Sequence, residues 1–262
     1  MKNIAIVLLS FITFSLLESC TKYSNLYEVK PFDNSISEND FFYFENDTVK
    51  ITYSFWGKKG VMSYTVFNKL NIPIYIDWKK SSLIKNDQKF DYWIDEINTK
   101  GKSFNNNRSD YSSLYYGGYN IFNYGTSISE SKSIKPERIT FLSPKSNVTR
   151  VQSNLYNLIP EVISSPCKKE KIIAKNGKKV SVSYIEMSKS NSTFNFRNFI
   201  TVSTTEKFEK EIYIDNGFYV YRINKLKSWD MIPEAVYNKE KKIDETIMPI
   251  SSPKMFFIDL KN

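Results

Sequence analysis

The sequence predicts an all-β fold, an immunoglobulin-like β-sandwich of mostly antiparallel strands with one or two short helical turns. Three observations carry this. From Phe41 onward apolar and polar residues alternate with period two. The alternating runs are short and punctuated by Gly, Asn and Pro. No stretch sustains the 3.6-residue period of an amphipathic helix.

The first element is set apart from that fold. Met1-Lys2-Asn3 is a short basic start, and Ile4 to Leu17 is almost wholly apolar. As a helix those residues rise roughly 21 Å, short of the ~30 Å hydrocarbon core of a bilayer. They therefore read as a signal peptide over residues 1–19 rather than a permanent span. The segment ends Leu17-Glu18-Ser19-Cys20, which resembles the lipobox of bacterial lipoproteins, with Glu18 the one departure. That resemblance implies cleavage before Cys20 and acylation of it, so that the membrane is a partner through the acyl chains. Several chains anchor firmly where one does not. Thr21, rather than aspartate, follows the cysteine, and no acidic run succeeds it. The resemblance then implies the outer membrane, with the periplasmic face favoured over the cell surface. Residues 20–40 are polar with one proline and read as a tether, with a short strand at Leu26 to Val29.

In the body of the chain Val49, Ile51, Tyr53 and Phe55 share one strand face, and Gly57-Lys58-Lys59-Gly60 turns to a strand over Val61 to Phe67. Further strands fall at Ile74 to Trp78, Ser82 to Lys85, Phe90 to Ile97, Tyr115 to Phe122, Arg138 to Leu142 and Thr149 to Leu155. Asn176-Gly177 is a strong hairpin signal between Lys171 to Ala174 and Val180 to Met187. Phe194 to Ser203 follows. Asp215-Asn216-Gly217 reads as a second turn, between Glu211 to Ile214 and Phe218 to Ile223. Thr205 to Lys210 is a candidate helical turn, Ser228 to Lys242 a short helix interrupted near Pro233, and Met255 to Leu260 a last strand. Residues 41–262 form a single β domain, with possible halves 41–160 and 168–262.

Composition narrows the function. The chain carries 37 Lys+Arg against 28 Asp+Glu, a net charge of +9. Nucleic acid is not the expected partner, because only five of those basic residues are Arg and the export signal removes the protein from nucleic acid. There is no histidine. Ser-His-Asp and Cys-His nucleophile systems and the usual zinc sites are thereby excluded. No cofactor and no metal is expected. With Cys20 acylated, Cys167 has no partner for an internal disulfide, and neighbouring Lys168 and Lys169 are the only sign of thiol activation.

Four constellations stand out. Residues 103–125 are built from Tyr, Ser, Gly and Asn, the composition of adaptable binding loops. Tyr111, Tyr115, Tyr116, Tyr119 and Tyr124 either form a stacking platform for a glycan or protein, or pack on the sheet with their hydroxyls in water. Asp91, Asp95 and Glu96 are the carboxylates closest to a glycosidase-like arrangement, with a solvated strand face as the alternative. Ser82-Leu83-Ile84-Lys85 has Ser-x-x-Lys spacing in a strand-like setting. Asp47-Thr48-Val49 resembles the O-glycosylation motif of Bacteroidota, which makes Thr48 a candidate modification site.

Three longer stretches, Glu45 to Asn86, Lys135 to Val148 and Phe194 to Ile223, resemble uncharacterised lipoproteins of Bacteroidota. The shared features are the Tyr53-Ser54-Phe55-Trp56 strand end, the hairpin following Asn68-Lys69, and the Ser143-Pro144-Lys145-Ser146 turn, which departs from the family's Pro-Pro-Lys-Ser at Ser143. That family has no assigned activity, so the resemblance implies an address and a β fold but no catalytic residue. The expectation is a lipid-anchored, non-catalytic envelope protein that binds a protein or glycan, or serves as an accessory subunit of an outer-membrane assembly. The alternative is a carboxylate-based glycan hydrolase.

Overall fold

The structure is a computed structural model that describes residues 21–33, 36–38, 41–93, 137–152, 155, 167–238 and 243–260. The early strands are β1 (Tyr23–Pro31), β2 (Ile36–Glu38), β3 (Phe41–Glu45), β4 (Val49–Ser54), β5 (Met62–Asn68), β6 (Ile74–Lys85), β7 (Gln88–Asp91), β8 (Ile139–Leu142) and β9 (Asn147–Gln152). The later ones are β10 (Lys168–Ile173), β11 (Lys179–Glu186), β12 (Asn195–Ser203), β13 (Glu211–Lys227), β14 (Glu234–Asn238), β15 (Ile243–Ile247) and β16 (Met255–Asp259). A 3-10 turn, Ser228–Met231, separates β13 from β14.

The described strands pair antiparallel into two sheets and a small β14–β15 hairpin. The smaller sheet runs β2-β3-β4-β5-β9. Alternation is complete in β4 and β5: Val49, Ile51, Tyr53, Met62, Tyr64 and Val66 are buried while the residues between them are not. The larger sheet has β13 as its spine. Phe218 pairs with Pro31 of β1 and with Phe196 of β12, so those strands lie on opposite edges of β13. β11 then joins β13 nearer its C-terminal end, β16 pairs with β1, and β6 pairs with β12, β7 and β8. The sheets face each other across one core, where Tyr53 meets Phe218 at 4.9 Å and Phe55 meets Phe196 edge-on at 5.2 Å between ring centroids. The fold is the sandwich-like antiparallel arrangement expected, and an immunoglobulin-like form is compatible with it.

Several expectations change. The short strand expected at Leu26 to Val29 is present but longer: within the expected tether, Tyr23 to Pro31 form β1, a strand paired on both edges, with Leu26, Tyr27 and Val29 buried. Its polar look has a structural cause: buried Ser24 bonds Ser228 and Asp259, and Glu28 accepts from Asn224. Residues 211–227, expected as two strands around a turn, form one strand of 17 residues. Gly217 does not turn the chain. The ring of Phe32 lies against it, 2.2 Å from where a Cβ would stand, and only glycine admits that approach. Ser82 to Lys85 continues β6, which carries an extra loop of chain around Trp78 to Ser81, held by Ser81 Oγ donating to the Asp77 carbonyl at 2.7 Å. The helix expected beyond Pro233 is strand β14, and residues 205–210 form turns. The larger sheet takes β6, β7 and β8 from before residue 160 and β10 to β13 from after 167, so the two candidate halves share one sheet.

Candidate functional site

The outer face of the larger sheet carries the most organised set of polar and aromatic side chains. Alternation along β13 builds it. Ile214, Phe218 and Val220 turn inward, while Tyr213, Asp215, Gly217 and Tyr219 turn outward. Between Glu28 and Val29 of β1 the register shifts, which gives β13 one extra residue and brings Tyr221 and Arg222 both to the outer side.

At the N-terminal end of β13, Tyr213 stacks on Phe199 with centroids 5.8 Å apart and 23° between planes. Tyr213 is 61% exposed. Its hydroxyl donates to Glu211 at 2.5 Å, and Lys80 pairs with the same carboxylate. The Lys80 hydrogen bond holds the Glu211 carboxyl below its ordinary range, and that carboxylate in turn pushes the Tyr213 hydroxyl up. Arg197 and Asp215 pair at 2.6 Å beside the rings. The result is a flat aromatic shelf edged by two ion pairs. Its surface can stack an apolar ring face, and its edges can exchange hydrogen bonds with hydroxyl groups.

Further along the face, Phe32 lies beside Tyr219 at 6.1 Å under the Lys189 ammonium, 4.3 Å from the ring. Next, Glu28, Glu170 and Glu186 converge on Arg222, which stacks on Tyr184 at 3.7 Å and donates to Asn224 at 2.8 Å. Asn224 donates to Glu28 at 2.6 Å, and Tyr221 donates to it as well. Burial first, then the Glu28 bond, pushes the Tyr221 hydroxyl far up. These groups come from β1, β10, β11 and β13 and satisfy one another, so the cluster works as a clamp across four strands.

Beyond the clamp the face is covered. The 3-10 turn and residues 248–255 close a second core of Leu26, Val180, Val182, Leu226, Met231 and Ile250. At its margin lies a recess of about 110 Å³, lined by Trp229, Asp230, Glu234, Lys178, Asn176 and neighbours. Desolvation raises the Asp230 carboxyl, whereas hydrogen bonds from Lys178 and Asn176 lower that of Glu234. Two carboxyls driven apart fit acid–base work. The recess, however, is well below the ~300–1,000 Å³ of ordinary ligand pockets.

Of the residues singled out from sequence, Cys20, Tyr111, Tyr115, Tyr116, Tyr119, Tyr124, Asp95 and Glu96 lie outside the described residues. Thr48 is half-buried in the turn between β3 and β4, its amide held by Asn46 at 2.9 Å. Asp91 is paired with Lys89 at 2.7 Å. Ser82 and Lys85 are three apart on a strand and so point to opposite faces, which leaves the Ser-x-x-Lys spacing without its chemistry. Cys167 packs against the main core, and Lys168 beside it is engaged by Glu186 at 3.0 Å. Among the described residues no cluster of Cys, Asp and Glu is arranged to hold a metal ion. Sequence reading missed Phe199, Tyr213 and Tyr219. Their signal was the alternation Tyr213, Asp215, Gly217, Tyr219, hidden by the turn-like Asp-Asn-Gly within it. Comparison of the chain with protein-family models, curated proteins and solved structures finds no match.

Proposed function

We propose that this chain is a lipid-anchored, non-catalytic binding protein of the cell envelope, tethered through Cys20 to the outer membrane on its periplasmic face, and that its outer sheet face binds a glycan. The observation that supports the glycan is the Phe199–Tyr213 shelf with its flanking Arg197–Asp215 and Lys80–Glu211 pairs. An exposed ring set among fixed hydrogen-bonding groups suits a sugar, which has one apolar face and a rim of hydroxyls. The anchor rests on the lipobox-like ending Leu17 to Cys20. The test is to purify the acylated protein from membranes and measure its binding to a panel of envelope polysaccharides, alongside Cys20→Ala. Acyl mass on Cys20 and saturable glycan binding are expected. Wild type without acyl mass, or binding to a protein and no glycan, would overturn the respective half of the proposal.

A second reading, a carboxylate-based hydrolase, draws on Asp230 and Glu234 alone. It requires glycan cleavage that disappears in both Asp230→Asn and Glu234→Gln.

A further inference from the structure

We infer that the end of the domain around Trp229, Ile232, Lys22, Lys225 and Lys227 lies directly on the lipid headgroups, as a second membrane contact that fixes how the domain stands; this rests on acylation of Cys20. The chain leaves no room for a spacer. Lys22 is already fixed in the fold, its carbonyl accepting from the Ser228 amide at 2.9 Å, and Tyr23 pairs with Lys227. From Cys20 to Lys22 an extended chain spans at most roughly 7 Å. The headgroup layer is itself roughly 5–8 Å deep on each side of the hydrocarbon. An acylated Cys20 therefore brings this end of the sandwich against the bilayer surface.

The side chains at that end suit the position. The 3-10 turn exposes Trp229 by 48%, and Ile232 just after it is 57% exposed. The remaining tryptophans, Trp56, Trp78 and Trp93, are buried. Tryptophan belongs at the boundary between headgroups and hydrocarbon, where an amphipathic ring is at home. Lys227 Nζ stands 4.8 Å over the Trp229 ring, and Lys225 Nζ is 5.0 Å from that of Tyr23. Among the described residues no salt bridge engages Lys22, Lys225 or Lys227; Asp230 lies within electrostatic reach of Lys227, and three lysines against that one carboxylate leave the patch net positive for anionic headgroups. The contact also orients the site. Tyr213 and Lys227 are fourteen residues apart on β13, at most roughly 46 Å at ~3.3 Å per residue. The aromatic shelf then stands at the end of the strand that points away from the membrane.

The experiment uses the full mature lipoprotein in vesicles of phosphatidylethanolamine and phosphatidylglycerol, with some lipid brominated high on its acyl chains. Mass measurement of acylation and flotation with the vesicles report the anchor separately. The expected result is partial quenching of wild-type tryptophan emission that vanishes in Trp229→Phe and weakens in Lys225→Glu/Lys227→Glu. Absence of acyl mass would refute the anchor reading on which the inference depends. Acylation and flotation without quenching would overturn the membrane contact while leaving the anchor intact. Quenching that persists in Trp229→Phe would place the contact elsewhere and overturn it as well. A cross-linker at residue 229 that captures a protein in cells, with no quenching in vesicles, would assign the patch to that protein.

Discussion

Gly217→Ala is the sharpest probe of the sheet that carries the site. A Cβ at this position would stand 2.2, 2.7 and 2.9 Å from three carbons of the Phe32 ring. Ordinary carbon contacts begin near ~3.5 Å, so the ring must retreat by about an ångström. Overpacking of this kind costs about 1–3 kcal/mol. Without the ring, the same substitution relieves the entropic disadvantage of glycine in a strand and gains about 0.5 kcal/mol. A double-mutant cycle with Phe32→Ala, read by denaturant unfolding, should therefore show coupling of roughly 2 kcal/mol, with Gly217→Ala destabilising only while Phe32 is present. A turn at Asp215-Asn216-Gly217 makes a different prediction. There alanine would suffer from a left-handed backbone whatever residue 32 is, and the two costs would simply add. Additivity would refute both the continuous β13 and the docking of the β1 end onto it.

Three other outcomes follow from the same geometry. Buried Asn68 directs its amide to the carbonyls of Ile72, Leu142 and Ser143 where the chain passes between sheets, so Asn68→Asp, the same shape with its donors removed, should cost about 3 kcal/mol or more in thermal melts. Tyr213→Ala, by contrast, should leave the unfolding midpoint nearly unchanged, within about 0.5 kcal/mol, because its ring is largely in solvent. On acidification, Glu45, Glu186, Glu211 and Glu234, held below the ordinary carboxylate range by Lys69, Lys168, Lys80 and Lys178, contribute stability that is present above the unfolded carboxylate pKa and lost as pH falls through their lowered folded values; Lys80→Met should flatten that acid limb in a stability-versus-pH series.

The sequence was most legible where one strand face is dry and the other wet. Val49 to Tyr53 alternates without exception, and Gly177 takes the left-handed backbone expected of an Asn-Gly hairpin, with φ at 81°. It was least legible where tertiary contacts supply partners that local pattern cannot show. β1 looks like a linker because Ser24, Asn25 and Glu28 are polar, yet its partners β13 and β16 lie some 200 residues away along the chain. Gly217 satisfies a turn template, but what it answers to is a ring from β1. The site was hidden for the same reason. Whether the outer face of a sheet is bare or covered depends on where the 3-10 turn and residues 248–255 pack, and they cover Leu226 while Tyr213 stays exposed.

The proposed recognition of a glycan by the outer face of the larger sheet is tested by comparing two aromatic truncations on the acylated protein. Tyr213 lies on the shelf, while Phe141, 54% exposed, packs against Tyr75 on β6. An aromatic anchor at a binding hot spot is worth about 2 kcal/mol or more. Titration of the polysaccharide bound by wild type should therefore show affinity falling by roughly tenfold or more in Tyr213→Ala and staying unchanged in Phe141→Ala. Equal affinity in the wild type and Tyr213→Ala, with both folded, would show that the Phe199–Tyr213 shelf does not bind the glycan.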